Sequence, residues 1–227
     1  MIHNQESYAR LSLIVILSLG RSGSTFFAKA LTENSDFFNS GENRYFWERL
    51  MQLPPERHPE EVGKYFSRLS GGNVQIVDKT PDLYRCIESV NFGDHDVRII
   101  QLCRANAAIE RSRANFAATL RRPKRLILRM KQYRRKYGWR WLVPILQRWY
   151  FVPALLGFER ERLFATNAGR VKLEDEREAF EAVIARLRAH APVVTVDYDD
   201  FPLSVGSLKE YEFSYGQIEA IRASFRG

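Results

Sequence analysis

The sequence predicts an α/β protein: a three-layer, doubly wound parallel sheet of about five strands, with a phosphate loop and a helical insertion. Three observations carry that expectation. Short apolar runs rich in Val, Ile and Leu recur along the chain, as strands covered on both faces do. Segments of helical character separate them, which is the alternation of a parallel sheet. The first run ends in Gly20-Arg21-Ser22-Gly23, a turn that leads straight into a helix-forming stretch.

The elements follow in order. Ser12 to Leu19 is a continuous β-branched and leucine-rich run, expected as the central strand. Ser24 to Leu31 continues as a helix that packs Phe27 and Leu31 on the sheet. Glu42 to Leu53 has helical character, and Pro54-Pro55 ends it. Val74 to Val77 is a second buried run. Asp78-Lys79-Thr80-Pro81 follows, with Pro81 suited to the first turn of another helix. Val97 to Cys103 is a third strand, and Asn106 to Leu120 an alanine-rich helix. Glu174 to His190 is amphipathic, with Phe180, Val183, Ile184 and Leu187 on one face. Val193 to Val196 is the last strand.

Length and composition fit this plan. The 227 residues suffice for one domain spanning 1–227, with a basic helical insertion or cap at about 121–170. An apolar fraction of 45% and a charged fraction of 27% are ordinary for a folded chain and exclude global disorder. There is no internal repeat and no low-complexity linker. Two cysteines, Cys86 and Cys103, make no disulfide framework, and no Cys/His spacing suits zinc. A reducing, cytoplasmic location is expected. Leu11 to Leu19 is too short to span a bilayer, and the residues before it lack the basic character of a signal peptide, so no secretory signal or membrane anchor is expected.

The glycine turn suggests chemistry. Backbone N–H groups at a helix start lack partners, and the helix dipole adds positive charge there. A strand, a glycine turn and a helix therefore make an anion site, a P-loop-like phosphate loop. Ser22, Ser24 and Thr25 add hydroxyls, the Gly23 amide adds a donor, and Arg21 adds a charge. The nucleoside-triphosphate version requires lysine after the second glycine. Ser24 stands there instead. The plainer alternative is that Gly20 and Gly23 serve only a tight turn.

Arg21-Ser22-Gly23-Ser24-Thr25 resembles the first signature of the sulfotransferases that use 3′-phosphoadenosine 5′-phosphosulfate (PAPS). In that family the loop holds the 5′-phosphosulfate, and its basic residue contacts the oxygen between phosphate and sulfate. The second signature is a strand-end arginine with a serine eight positions later, which together hold the 3′-phosphate. Arg104 closes VRIIQLC, and Ser112 follows at that spacing. Arg111 and Arg113 compete for the role, and an ordinary strand-end arginine paired with Glu110 is the plain alternative. Gly41-Glu42 is similar to the Gly-Glu that supplies the catalytic carboxylate in several branches. Asp78-Lys79-Thr80-Pro81 is similar to the Lys-Thr-Pro loop of the carbohydrate branch, whose lysine approaches the sulfuryl group. Each also has a structural reading, since Glu42 favours a helix dipole and Thr80-Pro81 starts a helix. Val196-Asp197-Tyr198-Asp199-Asp200-Phe201 resembles a family segment whose role is architectural.

The resemblance covers roughly Leu13 to Phe201 and implies the carbohydrate or tyrosylprotein type of PAPS-dependent sulfotransferase. It implies PAPS as donor, adenosine 3′,5′-bisphosphate as product, no metal, and an acceptor that is a carbohydrate, a lipid or a small molecule. Arg21, Lys79 and Glu42 become the catalytic candidates. Ser22, Gly23, Ser24, Thr25, Arg104 and Ser112, with Arg21, become the donor-binding candidates. One departure stands out: the family's Arg-Lys-Gly donor-covering loop has only Arg226 as a counterpart, so the donor site is expected to be more open or closed by another segment. None of the four histidines, His3, His58, His95 and His190, lies in a motif.

Net charge is +8, but it is concentrated. Between Arg111 and Phe158 there are 13 Lys or Arg and no acid, while the other 22 basic and 27 acidic residues leave the rest at −5. Residues 121–151 interleave bases with Leu, Ile, Trp, Tyr and Phe. Three readings stand: a cap with solvated charges, peripheral contact with an anionic membrane, or attraction of a polyanionic acceptor. Nucleic acid is not expected, because no binding motif accompanies the patch. Two other functions compete with the sulfotransferase: a small-molecule kinase on the same loop, and a non-catalytic basic membrane- or nucleic-acid-binding module.

Overall fold

Strand β1, Ser12–Ser18, is the central strand of the sheet, and the side chains of Leu13 to Leu17 are wholly buried. A computed structural model describes residues 8–120 and 172–225. The chain divides into two compact units, Met1–Ile109 with Leu163–Gly227, and Glu110–Arg162. The second is described only over residues 110–120, and the expected insertion at 121–170 lies outside the described residues.

In the first unit α1 is Ser24–Glu33, β2 Phe38–Gly41, α2 Arg44–Leu50, α3 His58–Ser70, β3 Gln75–Asp78 and β4 Asp96–Cys103. Helix α4, Asn106–Leu120, begins in it and runs on into the second. Then come α5, Leu173–Arg188, β5, Val193–Asp197, α6, Phe201–Ser204, and α7, Tyr215–Ala223. The five strands pair in the order β2-β3-β1-β4-β5, all parallel, as the sequence predicts for fold class.

Alternation along β1 builds the layers. Leu13, Val15 and Leu17 face one apolar cluster with Trp47 of α2, Val62 and Phe66 of α3, and Phe180 and Ile184 of α5. Ile14 and Ile16 face the other, with Phe27 and Leu31 of α1 and Ile218 and Ile221 of α7. Each such side chain contributes about 1.5–3 kcal/mol by leaving water.

Several elements differ from expectation. Strand β2 carries only one large apolar residue, Phe38, and is polar at Asn39 and Ser40, so no hydrophobic pattern marks it. The helix expected from Glu42 starts at Arg44, because Gly41 has a left-handed φ of 78° and the Asn43 N–H is held by Thr80. The helix expected after Pro81 is replaced by a turn and two short 3-10 segments, Leu83–Arg85 and Ile87–Ser89. Asp82, at φ 64°, breaks it, and its buried carboxylate pairs with Arg44 at 3.0 Å. Helix α3 is a further addition. Pro59, Glu60 and Glu61 open it, and Gly71 closes it in the left-handed conformation.

Candidate active site

All five strands deliver polar residues from their C-terminal ends, the edge where open α/β sheets hold ligands. Arg21 to Thr25 follow β1, Glu42 follows β2, Lys79 follows β3, Arg104 follows β4, and Tyr198 and Asp199 follow β5.

The glycine turn is tightly built. The Ser22 N–H donates to the Leu19 carbonyl at 3.2 Å, and the Phe26 and Phe27 N–H groups bond to the Gly23 carbonyl at 3.0 and 3.1 Å. Arg21 and Gly23 are both left-handed, at φ 77° and 96°. For a residue with a Cβ this conformation costs about 1–2 kcal/mol, so Arg21 is held there against its preference. Gly23 is required on a second ground, since a Cβ there would stand 2.4 Å from a Tyr198 ring carbon. The Ser22 hydroxyl is buried and has no hydrogen-bond partner among the described residues.

The lysine missing after Gly23 is replaced in space by another. Lys79, buried at 7% exposure, donates from Nζ to Thr25 Oγ1 at 3.0 Å and to Glu42 Oε1 at 3.1 Å. It brings its positive charge to the first turn of α1 from the neighbouring strand. Glu42 keeps 40% of its side chain exposed, so its carboxylate is open to solvent while paired.

Beneath this pair lies a polar network that motif reading did not single out. The Asp78 carboxylate is fully buried and accepts from the Thr80 N–H at 2.8 Å and from Asn43 Nδ2 at 2.6 Å. Burial pushes its pKa up, and the Asn43 and Thr80 hydrogen bonds oppose that shift. Its signal in the sequence is Asp78 and Thr80 on either side of Lys79 at the end of a buried run, while Asn43 lies in no motif.

Arg104 sits against the glycine turn. Its Nη1 donates to the Arg21 carbonyl at 3.4 Å, and its guanidinium lies over the Tyr198 ring, 4.8 Å from the centroid. Nε stands 3.7 Å from Asp199 Oδ1, and Asp199 Oδ2 accepts from the Ala105 N–H at 2.6 Å. An anion at Arg104 therefore competes with a carboxylate already beside it. Arg177 of α5 donates to the Arg104 carbonyl and, at 2.5 Å, to Asn106 Oδ1, fixing the chain as it enters α4. Tyr198 and Asp199 belong to the segment to which the resemblance gives an architectural role, and Arg177 to no motif, so none of the three is a site candidate from sequence.

The first unit thus brings together Arg21, Ser22, Gly23, Ser24, Thr25, Glu42, Lys79 and Arg104. Ser112 falls on α4 in the second unit. Arg226 and the basic run 121–151 lie outside the described residues. Among the described residues no group of three or more His, Cys, Asp or Glu is arranged to hold a metal ion, and no helix is long and apolar enough to cross a membrane. The chain matches no family model and no curated protein.

Proposed function

We propose that this chain is a PAPS-dependent sulfotransferase that moves a sulfuryl group to a hydroxyl acceptor, a carbohydrate or glycolipid by preference. The observation that carries the reading is the position of Lys79 Nζ, bonded at once to Thr25 of the glycine turn and to the Glu42 carboxylate. An anion bound at the start of α1 would meet an ammonium and a carboxylate side by side. That is the pairing a transfer needs at its two ends.

The steps follow from the chemistry. The glycine turn would hold the 5′-phosphate, with Ser24, Thr25 and the buried Ser22 hydroxyl as donors. The acceptor oxygen attacks sulfur, the bond from sulfur to the bridging oxygen breaks, and the acceptor proton passes to Glu42. Charge gathers on the leaving and equatorial oxygens, where Arg21 and Lys79 stabilise it. Arg104 would take the 3′-phosphate. Two free cysteines suit a reducing compartment, and peripheral membrane contact through 121–151 belongs to the same reading.

Asp78 supports this over a kinase. The strand-end acid beside the glycine turn, where a kinase would keep a magnesium ligand, is fully buried and engaged by Asn43 and Thr80. A thermal-shift titration separates the two. Adenosine 3′,5′-bisphosphate without metal should raise the melting temperature in proportion to its occupancy, and ATP with magnesium should not. Labelled sulfate should then pass from PAPS to a member of a glycan and glycolipid panel. A shift with ATP–magnesium alone would reverse the assignment, and no shift with either would favour the non-catalytic module.

A further inference from the structure

Glu42 is the middle of three residues whose neighbours on both sides are tied to the next strand end. On one side, the Lys79 N–H donates to the Gly41 carbonyl at 3.2 Å. On the other, the Asn43 N–H donates to Thr80 Oγ1 at 2.7 Å. The Asn43 side chain then completes the link. Its Nδ2 donates to Asp78 Oδ2 at 2.6 Å and to Ser40 Oγ at 2.9 Å, and its Oδ1 accepts from the Tyr65 hydroxyl at 2.8 Å. Ser40 in turn donates to the Val77 carbonyl at 2.9 Å. Asp78 Oδ1 accepts from the Thr80 N–H. Every group of the Asn43 amide and both Asp78 oxygens are therefore engaged, and both residues are buried.

We propose that Asn43 and Asp78 form a positioning clasp that locks the residue-42 loop to the residue-79 loop and so sets the Glu42–Lys79 contact. The inference rests on the sulfotransferase reading for its catalytic consequence, but not for its geometry. A buried carboxylate is costly to hold in place of an apolar side chain, and the strands themselves need no such group to pair. What the clasp adds is direction. The flanks of Glu42 are held within their own segment by the Gly41 N–H to Asn39 Oδ1 at 3.0 Å and the Trp47 N–H to the Asn43 carbonyl at 3.1 Å, and the bonds from Lys79 and to Thr80 tie them to the neighbouring strand end. Lys79 follows Asp78 directly and precedes Thr80, so the same clasp brackets it too. A general base and a charge-stabilising cation must be held to within a fraction of an ångström to act together. Neither Asn43 nor Asp78 meets the reacting atoms. They are positioning residues.

The test uses the full chain with Asn43→Asp, Asp78→Asn, the double exchange of both, and Tyr65→Phe. The exchange keeps one carboxylate and one amide in the clasp but reverses their places. The first readout is the acylation rate of the Lys79 amine by a small amine-reactive ester, followed by peptide mass spectrometry. Each single exchange should speed acylation at least about tenfold by opening the clasp locally, and Tyr65→Phe should speed it less. The double exchange should return the rate to within about threefold of native, since the two substitutions are directly coupled. Native rates in the single variants, or a double exchange as reactive as the singles, would overturn the clasp. Should the single variants fail to fold, Tyr65→Phe and the double exchange still decide it. The second readout is donor turnover with water as acceptor, in which the sulfur–oxygen bond to the 5′-phosphate breaks and free sulfate forms. The single exchanges should lower kcat about 10²-fold while the donor KM stays within about threefold, with recovery in the double exchange. An equal loss of bisphosphate binding would overturn the positioning role. If the native chain neither binds the bisphosphate nor releases sulfate, the sulfotransferase reading fails, and the Lys79 rates still decide the clasp.

Discussion

The Lys79 ammonium donates to the Glu42 carboxylate at 3.1 Å, joining the ends of two neighbouring strands. The contact makes each residue depend on the other. Removing the carboxylate leaves a buried ammonium bonded to Thr25, and removing the ammonium takes one cationic partner from a part-exposed carboxylate.

On the proposed sulfotransferase reading, Glu42→Gln removes the general base while keeping the shape of the side chain. We expect sulfuryl transfer to fall about 10²–10⁴-fold, the range for a lost general base. Affinity for adenosine 3′,5′-bisphosphate should be unchanged by titration calorimetry, because the product carries no acceptor. Equal loss of both would assign Glu42 to nucleotide binding instead. Lys79→Met should cost about 10²–10³-fold in kcat, as for a lost donor to a developing charge.

Gly23→Ala tests the turn itself. The new methyl group would meet the Tyr198 ring at 2.4 Å, and the φ of 96° disfavours any Cβ. Strain of this kind costs about 1–3 kcal/mol. The melting temperature should fall, and the bisphosphate-induced shift should vanish. Gly23→Ala with Tyr198→Ala should recover part of the stability, since it removes the clash but not the backbone strain. No recovery at all would mean that φ alone dictates glycine there.

Arg104→Ala should weaken bisphosphate binding about 10–100-fold, the range for one charge-assisted hydrogen bond. Arg104→Lys should recover little of it. An ammonium neither stacks on the Tyr198 ring as a planar guanidinium does nor spans from the Arg21 carbonyl to Asp199. Asp199→Asn is expected to tighten binding by removing the competing carboxylate, provided its bond from Ala105 is kept by the amide oxygen. Unchanged affinity in all three variants would move the second phosphate away from Arg104.

The legible parts of the fold share one property: a pattern that local chemistry alone produces. Strands β1, β3, β4 and β5 are apolar runs, and α1, α4 and α5 have clear faces or high helix propensity. Their ends match the sequence reading to within a few residues. Strand β2 is not legible, because Asn39 accepts from the Gly41 N–H and Ser40 serves the Asp78 network, so neither marks a hydrophobic face. The helix after Pro81 was lost to a tertiary bond, Arg44 to Asp82, that no local pattern encodes. The same division holds at the site. Residues within motifs could be named, namely Arg21 to Thr25, Glu42, Lys79 and Arg104. Asp78, Tyr198 and Asp199 stand in quoted motifs without a site role, and Asn43 and Arg177 stand in none; that Asp78 bonds to Asn43, Tyr198 packs on Gly23, Asp199 sits by Arg104 and Arg177 reaches Asn106 are relations only the fold supplies.

His95 gives the fold a pH dependence of its own. It is buried at the entry to β1, where Nδ1 accepts from the Leu11 N–H at 3.1 Å and Nε2 bonds to the Pro59 carbonyl at 2.9 Å. Both bonds are satisfied only by the neutral ring with its proton on Nε2. Burial lowers the pKa below 6.5; the Pro59 bond and Asp94 oppose this, and Arg10 adds to it, with Tyr8 packed alongside. A neutral form favoured by folding contributes fully above the unfolded pKa. That contribution is lost as pH falls below about 6.5, where the unfolded chain binds the extra proton. Asp78 has the opposite sign, since its raised pKa makes the folded chain hold its proton more tightly than the unfolded chain. The two separate by difference. Urea unfolding of the native chain and of His95→Gln at pH 5 and pH 8 leaves the Asp78 contribution common to both. The native chain should lose more stability than His95→Gln on going to pH 5. Parallel losses would show that His95 does not titrate differently on folding.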